Sequence, residues 1–73
     1  MRPATLEEAE AAKEILKARL LPLPELRGIG IALLDDGFGV KVNLSCRPQG
    51  VIVPDDVDGV PVIVEIVGTI RPL

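Results

Sequence analysis

The sequence predicts an α+β domain: an N-terminal amphipathic helix packed on one face of a small three-stranded sheet, in the order α-β-β-β with a long crossover before the last strand. Three observations carry this reading. A capping box opens an apolar-periodic run, two alternating runs flank an Asp-Gly pair, and a third alternating run of Val and Ile follows a turn-rich stretch.

The helix comes first. In Thr5-Leu6-Glu7-Glu8 the Thr5 hydroxyl accepts from the Glu8 amide while the Glu8 carboxylate reaches back to the Thr5 amide. Acidic residues fill the first turn, and Lys17 and Arg19 sit in the last, as the helix dipole favours. Ala9, Ala12, Ile15, Leu16 and Leu20 fall on one face, and Pro22 stops the run, so residues 6–20 are expected to be helical. The small alanines on that face allow close approach to a sheet. Leu21-Pro22-Leu23-Pro24 is then a stiff connector, too short for a proline-rich ligand.

Ile29–Leu34 and Phe38–Cys46 are the first two strands, joined by a type I′ turn at Asp36-Gly37. That turn sets Leu33 opposite Val40, Ile31 opposite Val42 and Ile29 opposite Leu44. All six are apolar and share the face toward the helix. The other face carries Gly30, Ala32 and Leu34 against Lys41, Asn43 and Ser45. Residues 47–59 form the crossover, with Val51-Ile52-Val53 as a short pairing or packing segment within it, because a structureless loop of that length is uncommon in a small domain. Val60, Val62, Val64, Ile66 and Ile70 then alternate along the third strand, whose other face shows Ile63 and Val67 beside Glu65 and Thr69. Whether this strand joins the first or the second strand is left open by the pattern.

One helix covers one face of such a sheet. Ala32, Leu34, Ile63 and Val67 are therefore left on the other, a candidate interface unless the crossover folds over them.

Composition bounds the function. A chain of 73 residues is a single domain, 1–73, with a core too small for a deep walled active site. The apolar fraction is 48%, enough to fold, and nearly all of it is aliphatic; Phe38 is the only aromatic residue. Domains of this size lean on disulfides, a metal or a partner chain. Cys46 has no second cysteine to pair with, and without His the usual zinc ligand sets are missing, so a partner chain is the expected support. The net charge of −3 with signs interspersed, and the lack of aromatic stacking residues, argue against nucleic-acid binding. Residues 1–8 hold no apolar stretch after Arg2 and do not read as a signal peptide, and no segment is long enough to span a bilayer. A lone Cys without a signal suits a cytoplasmic location.

Val53-Pro54-Asp55-Asp56-Val57-Asp58-Gly59-Val60-Pro61-Val62, followed by Val64, Val67, Gly68 and Ile70, resembles a segment of bacterial trypsin-like serine peptidases. In those multidomain proteins a non-catalytic N-terminal region has the same order: a Gly-x-Gly strand, a second strand, then an Ile-Pro turn into Gly-Val-Pro-Val and a third strand. Gly28-Ile29-Gly30-Ile31 matches the first element, so the likeness spans about residues 28–70. It implies kinship with the accessory module, since the chain ends where the peptidase domain would follow. With no His there is no Ser-His-Asp triad, and no catalytic residue carries over.

The remaining motifs have structural explanations. Gly28-x-Gly30 lacks a third glycine and precedes a strand, whereas a dinucleotide loop follows a strand and opens a helix. Asp56-x-Asp58-Gly59 echoes part of a calcium loop without its closing Glu, and is read as a solvated turn, weak cation binding by Asp55, Asp56 and Asp58 being the residual alternative. Cys46 ends a strand on its apolar face and is expected to be a buried structural residue. The neighbouring Arg47 would favour a thiolate, but no general base accompanies it. Glu65 faces away from the helix, either solvated or paired with Lys41.

No catalytic, cofactor-binding or metal-ligating residue is therefore assigned. The expected function is a non-enzymatic protein-interaction or self-assembly module, homo-oligomeric through the sheet face around Ala32, Leu34, Ile63 and Val67 or through an edge strand. The alternative is an accessory or regulatory module that binds a protease or another enzyme.

Overall fold

Helix α1 runs from Leu6 to Leu20, the bounds its sequence signals set. The computed structural model describes residues 3–48, 50 and 52–68; Val51, Thr69 and Ile70, assigned above to the crossover and the last strand, lie outside them. Both bonds of the capping box form: the Glu8 amide donates to Thr5 Oγ1 at 3.1 Å and the Thr5 amide to Glu8 Oε1 at 2.9 Å. Ala9, Ala12, Leu16 and Leu20 are buried. Ile15 was expected on that face but is 37% exposed. The buried stripe follows a 3-4-4 spacing from Ala9 to Leu20, and a residue one position before Leu16 is rotated to its flank.

Strands β1 (Leu26–Leu34) and β2 (Gly37–Leu44) pair antiparallel, but the turn differs from the expected one. Leu34 pairs with Gly37, so the loop is Asp35-Asp36 rather than Asp36-Gly37, and Leu33 faces Phe38, Ile31 faces Val40 and Ile29 faces Val42. The pairing has moved by two, an even step, so the side chains keep their expected faces, but Leu33, expected in the buried set, is 79% exposed at the hairpin end. Neither aspartate of this loop has positive φ, so the type I′ turn is absent here. The N-terminal segment explains the shift. The Phe38 amide donates to the Ala4 carbonyl at 3.0 Å, and a Cβ on Gly37 would stand 2.9 Å from both Ala4 O and Pro3 Cβ. Gly37 is there for that close approach rather than for a left-handed turn.

The sheet has four strands, not three, in the order β1-β2-β4-β3. β3 (Asp56–Val57) is two residues long and forms a hairpin with β4 (Val60–Ile66). Its loop, Asp58-Gly59, has φ of +50° and +84°, the left-handed pair a type I′ turn needs. The Asp56 carboxylate caps this loop by accepting from the Gly59 amide at 3.3 Å. β4 lies parallel to β2, with Val40 beside Val62, Val42 beside Val64 and Leu44 beside Ile66, which settles the partner of the last long strand.

The core lies between α1 and one face of the sheet. Leu16, Val40, Val42, Leu44 and Val60 are almost fully buried there, with Ile29, Ile31, Phe38, Val53 and Val62 packed around them. Burying an aliphatic side chain of this size contributes about 1.5–3 kcal/mol.

Candidate interaction surface

β4 holds the unusual surface, and its backbone directions define it. The Val62 amide points away from β2, donating to the Asp55 carbonyl at 2.8 Å, while the Val67 amide points toward β2 and donates to the Leu44 carbonyl at 2.8 Å. With period two along a strand, the amide and carbonyl of Val64 and Ile66 project outward with those of Val62. β3 ends its pairing at Pro61, and among the described residues no backbone hydrogen bond continues along β4's outer edge past Val62. Among the described residues, β4 therefore has no partner on this side from Ile63 to Ile66.

Side chains on both faces of this stretch meet solvent. Ile63, Val64, Ile66 and Val67 are 37–44% exposed, whereas Val40, Val42 and Leu44 on the adjoining strand are buried. Val64 and Ile66 share the helix side of the sheet but lie beyond the helix's reach. There the crossover stands off from them. Leu44, Arg47, Pro48, Ile52, Val53, Asp55, Val64 and Ile66 enclose an open groove of about 410 Å³. Val53 packs on the core while Ile52 is 92% exposed.

The other sheet face carries the four residues singled out from the sequence. Ala32 and Leu34 are partly buried, Ile63 is exposed, and Val67 follows the strand end, exposed. The crossover does not fold over them in the described residues, since Val53 joins the helix-side core and Ile52 the helix-side groove. On this face Lys41, which lies between Gly30 and Ile63 across the strands, forms an ion pair with Glu65, Nζ to Oε2 at 2.7 Å, one of the two outcomes expected for Glu65. Both side chains remain about half exposed, so the pair is worth no more than about 1 kcal/mol. Asn43, next to Glu65 across the strands, has its Oδ1 shielded from solvent with no hydrogen-bond donor among the described residues.

Geometry also places Cys46 and the aspartates of the turn before β4. Cys46 is not buried: β2 ends at Leu44, and the chain bends at Ser45 and Cys46, leaving the thiol exposed beside the Ser45 hydroxyl at 4.0 Å. The Ser45 amide still donates to the Glu25 carbonyl at 2.8 Å, the last bond of the β1–β2 ladder before the chain departs. Asp56 and Asp58 belong to the β3–β4 hairpin, and no group of three or more His, Cys, Asp or Glu side chains among the described residues stands together as metal ligands. Among the described residues no helix is long and apolar enough to cross a membrane.

No protein-family model matches the chain, and no curated protein or solved structure is significantly similar to it.

Sequence reasoning singled out Ile63 and Val67, which are exposed, and named an edge strand without saying which. The signal was present: Val62-Ile63-Val64-Glu65-Ile66-Val67 is apolar on both faces, the composition of a strand with neighbours all around.

Proposed function

We propose that this chain is a non-enzymatic interaction module that self-associates by adding a strand to the open edge of β4. One observation carries the reading: β4 has the sequence of an interior strand, yet past its pairing with the two-residue β3 its outer side has no partner among the described residues, and Ile63, Val64, Ile66 and Val67 are over a third exposed. Unpaired amides and carbonyls between apolar side chains form a template for another strand. An occupant there satisfies the outward groups of Val64 and Ile66 and covers the apolar flanks.

The edge is a better contact than the far face. Packing the far faces of two copies together would bury the Lys41–Glu65 pair, and desolvating a salt bridge costs several kcal/mol per ion. Pairing edge to edge leaves both groups at the surface. A domain of this size, with neither disulfide nor metal cluster in its described residues, also gains most from a second chain.

Solution mass by light scattering coupled to size exclusion, over a wide concentration range, tests this. Wild type is expected to show a reversible dimer, and Ile63→Glu a monomer with an unchanged far-UV circular dichroism spectrum. A wild-type monomer at every concentration rejects self-association. The accessory reading then takes its place, with the groove beside Val64 and Ile66 as the seat for an extended segment of a peptidase or other enzyme.

A further inference from the structure

The register of self-association can be derived from β4 itself, resting on the edge pairing proposed above. A closed dimer built on one strand edge is antiparallel and two-fold symmetric, so a residue near the middle of the strand meets its own copy. The outward-pointing residues must pair with one another to exchange hydrogen bonds, which leaves axes at Val64, Glu65 or Ile66. An axis at Val64 sets the partner's Ile66 against Val62, whose amide is already taken by Asp55, and drives the partner's chain beyond it into β3. An axis at Ile66 leaves Ile63 and Val64 facing whatever follows Val67 rather than the apolar strand.

The axis at Glu65 fits the open stretch, because the partner's extended run ends at Val67: Gly68, which would otherwise oppose Val62, has a φ of +66° and leaves the strand conformation. Val64 then meets the partner's Ile66 and exchanges both N–H···O bonds with it, twice by symmetry. On the far face Ile63 meets the partner's Val67, also twice. Every apolar residue of the edge lands on an apolar residue, a self-complementarity that suits a second copy of this chain. The single exception is Glu65, opposite the partner's Glu65.

We infer that the chain dimerises through antiparallel β4 strands with Glu65 on the two-fold axis, and that Glu65 acts as a gatekeeper keeping the pairing weak and reversible. The charges facing this carboxylate come from β2, where Lys41 lies 2.7 Å away, and from the partner's Glu65 with its own Lys41. Lys41 offsets part of the repulsion and the remainder opposes assembly, as charges on exposed edges do elsewhere. The contact is also small. Residues 63–67 fall far short of the roughly 20–30 residues per side of a standard stable interface.

Disulfide trapping in a Cys46→Ser background reads the register directly. Directly opposed residues that do not exchange hydrogen bonds lie about 4.5 Å apart at Cα, inside the range a disulfide spans, whereas diagonal neighbours lie about 7–8 Å apart, beyond it. Glu65→Cys is expected to cross-link rapidly on oxidation, and Val64→Cys and Ile66→Cys slowly or not at all. Separately, Glu65→Gln is expected to lower the dimer dissociation constant about two- to five-fold, the effect of relieving one directly opposed like-charge pair. Fastest cross-linking at Val64→Cys or Ile66→Cys, or a dissociation constant unchanged by Glu65→Gln, overturns the register while leaving self-association intact. A wild-type chain that stays monomeric overturns both.

Discussion

Glycine and aspartate at turns show how residue identity and neighbourhood divide the work. Two Asp-Gly pairs occur, at Asp36-Gly37 and Asp58-Gly59, and local propensity alone ranks them equally as type I′ turns. Only the second has the left-handed backbone, while Gly37 serves instead to let Pro3 and Ala4 lie against the hairpin. Gly59→Ala should therefore destabilise the chain by about 1–2 kcal/mol, because an L-residue at φ +84° is strained wherever its Cβ has room. Gly30→Ala should be neutral or slightly stabilising, since it lies mid-strand with nothing within 4 Å of an added Cβ and no left-handed backbone to strain. Urea denaturation of the two variants distinguishes them; equal losses would contradict the backbone assignment. The discarded turn was invisible beforehand because its competitor is a contact between residues some thirty positions apart.

At the scale of elements, α1 was legible to its end residues because everything that defines it is local. Thr5, Glu8 and Pro22 mark its limits and the 3.6-residue period its buried stripe. The stripe's width is another matter. Ile15 looked equivalent to Leu16, yet Leu16 is fully buried and Ile15 over a third exposed. Leu16→Ala is accordingly expected to cost about 2–5 kcal/mol and Ile15→Ala clearly less, measured as shifts in denaturation midpoint at unchanged slope. The faces of β1 and β2 were also legible. Alternation assigns Ile29, Ile31, Val40 and Val42 to the core side, and an even register shift leaves that assignment intact. The two-residue β3 was not, because its pairing is too short to produce any alternation.

For the whole molecule, the proposed pairing through β4 predicts a stability coupled to concentration. If a second copy covers Val64 and Ile66, the native state is favoured by mass action, and each tenfold rise in concentration within the dimeric range should raise Tm by about 3–5 °C. Glu65→Cys oxidised to the cross-linked dimer should lose that dependence, as the tether makes pairing intramolecular. Differential scanning calorimetry over a dilution series checks both, and a concentration-independent wild-type Tm would argue for a monomer. By itself the sequence determined the class of the domain, the helix, the side-chain faces of its long strands and the apolar character of residues 62–67, all of which follow from local periodicity, capping and turn chemistry. Only the tertiary structure decided that β4 runs parallel to β2, that Asp58-Gly59 rather than Asp36-Gly37 takes the left-handed turn, and that β3 covers only the start of β4's outer side. Those outcomes depend on which distant segments compete for the same backbone groups, a contest between non-local contacts that no local pattern records.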